Sequence, residues 1–505
     1  MGWLVRDERG IGRGEVAESQ LETPFLAAFM IVCAIGLFIF QLKVGNPSYT
    51  LAAAISMIAF GLTVVRVEIG LYVLVTAMLL SPEITAGAVG AHDERGVNIR
   101  YDDVLIVIIF LGVLLKLAFE GRLVFWRPSP INAGIFLYYG MCVLSTLLAL
   151  KTSVRAWDKD VAFFVMLKML EFYMIFFMVG LAINNARDIR KQLVVFFAVA
   201  SVVTAYAIIS VGTQPRVSAP FEAGGTEPNT LGGYLMIIMC VAIGLFFHAP
   251  TRKLRLTFLV IGMASFLPFL MTLSRASYVS LLVALTALSL IGRRPTIFIA
   301  VCLILALSPI MMPDDVLDRV NYTFQRGTGV PIEIAGRDMN LQVDKSTYER
   351  IYVWKKVRHG LRVWPWFGGG ISWETVLDSQ YARVIIETGI FGILAFAFML
   401  YRIVRTSREA YHWSRDWVCK GLALGVTATS IGLIVHGLGT ISFLIVRIME
   451  PFWFLLALTV VAREIAMADY QGRLAIWRKQ VAAEKSAEVE CEPVAPPEAA
   501  TPSHA

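Results

Sequence analysis

The sequence predicts an all-α polytopic membrane protein of about fourteen (twelve to fourteen) transmembrane helices, interrupted by one large polar loop that holds amphipathic helices. Three observations carry this. Of the 505 residues, 57% are apolar and only 16% are charged, against roughly 25% charged in soluble domains. The mean hydropathy is +0.67. The apolar residues also gather into runs close to the roughly 20 residues that a bilayer core requires. These runs lie at 25–42, 49–65, 67–82, 104–119, 131–150, 161–183, 193–212, 230–248, 256–273, 275–292, 296–312, 384–402, 418–439 and 443–462. The second and third are short, so twelve spans plus a re-entrant pair fit the pattern as well as fourteen.

With fourteen crossings, one side collects Arg122/Arg127, Arg187/Arg190/Lys191, Arg252/Lys253/Arg255, Arg293/Arg294 and Arg402/Arg405/Arg408/Arg415. The positive-inside rule makes that side cytoplasmic, and both termini join it. Residues 1–24 carry charges of both signs without an apolar core, and so read as a cytoplasmic tail rather than a signal peptide. Helices one to eleven then occupy 25–312 and helices twelve to fourteen 384–462, with 463–505 a second cytoplasmic segment. From about Val481 its Ala, Glu and Pro content predicts disorder. The net charge of +7 is spread over many loops, so nothing points to nucleic acid. The six cysteines show no CxxC spacing and read as small buried side chains.

Residues 313–383 form the large loop, on the side opposite the basic clusters. A connection this long is functional or disordered as a rule. Within it Ser346-Thr-Tyr-Glu349 is a capping box, and the helix it opens ends before Pro365. Trp354, Val357, Leu361 and Trp364 fall on one stripe, with Arg350 a turn earlier and Lys355, Lys356, Arg358 and Arg362 on other faces. That pattern describes a basic amphipathic helix at a membrane surface. Trp364-Pro-Trp-Phe-Gly-Gly-Gly370 and Trp373 follow; their indoles suit either sugar rings or an interfacial aromatic belt.

Arginines on this face run against the orientation bias. Arg216 lies in Gln214-Pro-Arg-Val-Ser-Ala-Pro-Phe221, ahead of Glu227-Pro-Asn-Thr-Leu-Gly-Gly-Tyr234, and Arg275 lies in the tight turn Thr272-Leu-Ser-Arg-Ala-Ser277. With Arg350 they form a set whose planar, permanently charged forks suit diphosphate oxygens; snorkelling to lipid phosphate is the structural alternative. Asp378 precedes the apolar run from Ile385, either as a helix cap or as a general base. Asp102/Asp103 and Asp314/Asp315/Asp318 read as acidic caps of water-facing helix ends, with metal binding the alternative for the last cluster. Lys168 and Glu171 are expected to pair inside one span, and Arg447 and Glu450 to repeat that arrangement near the outer edge of the last, each pointing into the bundle. His436 reads as a satisfied core histidine.

Taken in order, Arg216…Pro228-Asn229, Ser274-Arg275, Arg350-x-x-x-Trp354…Pro365-x-x-Gly368-x-Gly370 and Asp378-x-x-Tyr381…Glu387-Thr-Gly389-Ile-Phe-Gly392 resemble the O-antigen ligase / O-antigen polymerase superfamily over about 200–460. Ile99-Arg-Tyr-Asp-Asp103 is similar to a segment of related exopolysaccharide polymerases. The resemblance implies a bacterial inner-membrane glycosyltransferase without cofactor or metal. It would take a glycan from an undecaprenyl-diphosphate carrier and join it to an acceptor glycan at the periplasmic face, in the company of other polysaccharide-assembly proteins. It implies Arg275, Arg216 and Asp378 as catalytic residues, and Arg350, Asn229, Trp354 and Tyr381 as substrate contacts. Asp378 and Ser379 stand where the ligases carry His and Asn, which turns the expectation toward a capsule or exopolysaccharide polymerase. A lipid A–core ligase, a protein oligosaccharyltransferase, a lipid-linked glycan flippase or exporter, and a non-catalytic membrane scaffold are the competing readings. There is no GxxxxGK[ST] sequence to suggest a nucleotide-driven module.

Overall fold

The computed structural model describes residues 47–81, 83–84, 99–121, 124, 126–152, 159–211, 216–218, 228–299, 330–334, 337–343, 345–373 and 378–490. Helices dominate them. In order they are α1 (Pro47–Val65), α2 (Val67–Leu80), α3 (Tyr101–Phe119), α4 (Asn132–Thr152), α5 (Lys159–Ala182), α6 (Ala186–Ile209), α7 (Pro228–His248), α8 (Arg252–Leu270), α9 (Arg275–Gly292), α10 (Lys345–Val363), α11 (Gln380–Trp413), α12 (Trp417–His436) and α13 (Val446–Glu490). Two short antiparallel ladders interrupt them. Strand β1 (Glu83–Ile84) pairs with β2 (Ile99–Arg100), and β3 (Val330–Ile334) pairs with β4 (Arg337–Val343).

Among the described residues nine helices, α4 to α9 and α11 to α13, are long and apolar enough to cross a membrane. The apolar stretches of α1 and α2 are shorter, and α3 carries Asp102, Asp103 and Lys116 within its nineteen residues. Twelve of the expected spans thus coincide with helices; the one at 25–42, and all but the start of that at 296–312, lie outside the described residues. So do 313–329, with Asp314, Asp315 and Asp318.

Helix α7 is buried along nearly its whole length and forms the axis of the bundle. Small residues let α12 approach it. A Cβ on Gly244 would lie 2.4 Å from the Gly421 carbonyl oxygen, and one on Gly425 would lie 2.5 Å from Val241 Cα. Close backbone approach of this kind holds helices together where lipid removes the hydrophobic drive between them. Helix α8, by contrast, exposes Leu256, Leu259, Val260, Met263 and Leu267 along one side, as a lipid-facing helix does.

One end of the bundle is basic. Arg127 pairs with Glu464 at 2.6 Å, Arg190 with Asp416 at 3.7 Å, and Arg463 and Arg405 share Glu409. Arg255 and Arg402 donate to the Ala249 and Pro130 carbonyls. At the opposite end α7, α9, α11 and α13 begin and α12 ends.

Three expectations about local structure change. Helix α10 presents Val353 and Val357, not Trp354, to Ala382 and Ile386 of α11, with Leu361 alongside; Trp354 is 50% exposed. The helix therefore packs on a neighbour through a stripe that keeps Val357 and Leu361 and takes Val353 in place of Trp354. Asp102 and Asp103 are 1% and 8% exposed, so neither faces water, although Asp103 does cap the start of α3 through the Arg100 N–H. Finally, α13 runs to Glu490, past the Val481 at which composition predicts disorder. An Ala/Glu/Lys-rich segment has strong helix propensity, and a helix already under way spares it the nucleation cost.

Candidate functional site

The site is built around the turn between α8 and α9. Pro268 lies in the last turn of α8. Leu273 takes a left-handed conformation (φ 51°), which reverses the chain within four residues. Ser274 then caps α9 by accepting from the Ser277 backbone N–H at 3.3 Å. Arg216, reached after the end of α6, clamps the same turn: its Nε donates to the Thr272 carbonyl at 3.1 Å and a terminal nitrogen to the Leu273 carbonyl at 3.3 Å. The Val217 N–H donates to the Met271 carbonyl beside them. Arg216 and Arg275 are thus held on one turn, both partly exposed.

A chain of hydrogen bonds runs from this turn into the bundle. Ser274 Oγ donates to Asn229 Oδ1 at 2.7 Å, and Ser277 Oγ donates to Ser274 Oγ at 2.8 Å. With its proton so used, Ser277 accepts from His436 Nε2 at 3.0 Å. His436 Nδ1 must then accept, and Ser442 Oγ, 2.8 Å away, donates to it. Every bond points the same way, from Ser442 to Asn229. The Asn229 oxygen accepts in this chain, and the same amide carries two N–H donors. The chain exists because α7 and α9 touch: a Cβ on Gly232 would lie 2.3 Å from Ser277 Oγ.

The start of α11 closes the other side. The Gln380 N–H donates to the Gly437 carbonyl at 2.9 Å, and its side-chain oxygen accepts from the Phe443 N–H at 3.1 Å. The Tyr381 hydroxyl donates to the Ile434 carbonyl at 2.6 Å. The cap of α11 is Ser379 rather than Asp378, and Asp378 stands half-buried just before it.

A second assembly adjoins α11. Gly389 breaks the helix with φ 67° and ψ −163°, and the carbonyls and amides freed by the break bind the segment Trp364–Gly370. The Gly369 and Gly370 N–H groups donate to the Ile386 and Glu387 carbonyls at 2.9 and 3.0 Å. In return the Ile390 and Phe391 N–H groups donate to the Pro365 and Trp366 carbonyls at 2.9 and 3.2 Å. Two motifs some twenty residues apart in the sequence are one interlocked unit. Beside it lies a cavity of about 170 Å³ lined by Leu148, Ala149, Trp373 and the Trp364–Gly369 segment.

Glu387 anchors this unit. Its carboxylate is buried, accepting from Arg383 Nε and from the Ser372 N–H, each at 2.8 Å. Arg383→Met leaves that charge without its cation and is expected to cost about 3 kcal/mol. The readout is the thermal midpoint of the detergent-purified protein. The double variant Arg383→Met/Glu387→Gln should recover most of the loss, since the uncompensated charge is then gone as well.

The structure therefore gathers Arg216, Asn229 and Arg275 at one turn through Thr272, Leu273 and Ser274, and brings Asp378 and Tyr381 to the same end through the close of α12. Arg350 and Trp354 lie on α10; the Arg350 side chain is outside the described residues. Ser277, His436, Ser442 and Gln380 are the members that sequence reasoning passed over as site residues. Ser274-x-x-Ser277 could have been read as a cap with a partner; nothing in the sequence ties His436 to either serine. Among known proteins, no family model matches the chain and no curated protein matches it. Fold and composition define its class, a multi-pass α-helical membrane protein.

Proposed function

We propose that the chain is a membrane glycosyltransferase that extends or transfers glycans carried on undecaprenyl diphosphate, acting as a capsule, exopolysaccharide or O-antigen polymerase at the periplasmic face of a bacterial inner membrane. The observation that carries this reading is the fixing of Arg216 and Arg275 on one turn, at the N-terminus of α9 and bonded through Ser274 to the first turn of α7. Two guanidinium groups, two helix N-termini and the Asn229 amide gather positive potential and N–H donors in one place, which is what a diphosphate requires. The basic opposite end supports the orientation by the positive-inside rule.

In this reading the acceptor hydroxyl oxygen attacks the anomeric carbon as the bond from that carbon to the phosphate oxygen breaks. Arg275 and Arg216 take up the charge that grows on the departing diphosphate. Asp378 receives the hydroxyl proton. A single in-line displacement inverts the anomeric centre. The cavity beside Trp364, Trp366 and Trp373 offers flat apolar faces to a sugar ring.

The test is incubation of the purified protein with a carrier-linked repeat unit, followed by sizing of the products. Longer glycans still attached to the carrier are expected. Transfer to a different acceptor would make the protein a ligase, and translocation without a new glycosidic bond would make it a transporter.

A further inference from the structure

Away from the arginines, the first turn of α3 and the second turn of α13 meet in a buried cluster of acidic groups. Asp103 is partly satisfied: its Oδ2 accepts from the Arg100 N–H at 2.8 Å and is paired with the Lys168 ammonium. Lys168 also reaches Glu171, 3.4 Å away. Five other carboxylate oxygens have no such provision. Among the described residues, Asp103 Oδ1, both oxygens of Asp102 and both oxygens of Glu450 are buried without a hydrogen-bond donor. Glu450 is 0% exposed, and one oxygen from each of the three residues lies within 4.8 Å of the other two.

The local charge does not balance. Four carboxylates, Asp102, Asp103, Glu171 and Glu450, interact with one another and with two cations, Arg100 and Lys168. Arg447, one turn before Glu450, donates no hydrogen bond to either Glu450 oxygen. Burying a carboxylate without a donor costs several kcal/mol, and here Asp102 and Glu450 converge on the half-satisfied Asp103.

We propose that Asp102, Asp103 and Glu450 form a binding site for one divalent, oxygen-preferring cation such as Ca²⁺ or Mg²⁺. The ion's positive charge offsets the excess of carboxylates over cations, and each of the three residues brings at least one oxygen to a shell of six to eight. Oxygens on opposite sides of Ca²⁺ stand about 4.6–5.2 Å apart, in keeping with the spacing of the cluster. The absence of His and Cys from the set disfavours Zn²⁺. The ion's role is to fasten the start of α13 to α3. The same turn of α13 carries Ile448, which packs against Gly233 beside His436, so the ion stands behind one wall of the candidate site and takes no part in the chemistry there.

The test needs no glycan, so its outcome is separate from that of the glycosyltransferase reading. Detergent-purified protein is stripped with a chelator at pH 8, then titrated with CaCl₂, MgCl₂ or MnCl₂ while its thermal unfolding is followed, with Mn²⁺ binding read by electron paramagnetic resonance. At least one of the three ions should raise the midpoint by about 5 °C at saturation. Glu450→Gln and Asp102→Asn should each lose that shift and weaken Mn²⁺ binding at least tenfold. The stripped Glu450→Gln protein should melt above stripped wild type, because it holds one charge fewer; should that variant not fold, Asp102→Asn carries the comparison. The proposal falls if no divalent ion moves the midpoint while acidification to pH 5 raises it, which would assign the surplus to protons. An equal shift in wild type and both variants overturns it too, placing the ion elsewhere.

Discussion

Gly389→Ala is expected to abolish accumulation of folded protein. The residue sits at φ 67° and ψ −163°, a region essentially closed to residues with a Cβ and costing about 1–3 kcal/mol to enter. The new Cβ would also lie 2.5 Å from the Trp366 carbonyl carbon and oxygen and 2.7 Å from the Gly368 nitrogen. These are backbone atoms, so no rotamer change relieves the contact. Relief requires the Trp364–Gly370 segment to leave α11, which breaks the four hydrogen bonds that join them and opens the aromatic cavity. A loss above about 4 kcal/mol follows, at the severe end of single substitutions. Size-exclusion chromatography of the solubilised variant against wild type is the measurement. A monodisperse peak at wild-type yield would show that the kink tolerates a side chain. Gly368, with φ 71° and a virtual Cβ 2.4 Å from the Glu387 oxygen, should behave alike.

Arg275→Ala should reduce glycan extension by about 100-fold or more, the effect of deleting one preorganised donor to a developing oxyanion. The guanidinium lies at the first residue of α9 and is partly exposed, so folding should survive the change. Arg275→Lys keeps the charge and loses the fork, and should recover only part of the rate. The rate of elongation of carrier-linked repeat units, at equal amounts of folded protein, decides the matter. Wild-type chain length and yield in the alanine variant would remove Arg275 from the reaction and leave it a helix-end residue.

Much of the bundle could be read in the sequence. Apolar runs became helices at twelve positions, and the basic clusters came together at one end, because hydrophobicity over twenty residues and loop charge are local properties that a bilayer sorts directly. The stripe on α10 shows the limit. Trp354 and Val353 are equally plausible inward positions by periodicity, and it is the valine that meets Ala382 and Ile386 of α11. Likewise Pro365-x-x-Gly368 and Glu387-Thr-Gly389 stand out in the sequence, yet their glycines serve each other's backbone.

The sequence by itself determined that this chain crosses a membrane many times, which of its ends is basic, and that Arg216 and Arg275 flank breaks between helices. Tertiary structure alone decided that those two arginines share one turn, that His436 bridges Ser277 and Ser442, and that Glu450 meets Asp102 and Asp103 across most of the chain. In lipid every spanning helix satisfies its own backbone, so the choice of neighbours falls to the fit of small residues and the pairing of buried polar groups. Both depend on which faces meet, and no local pattern encodes that.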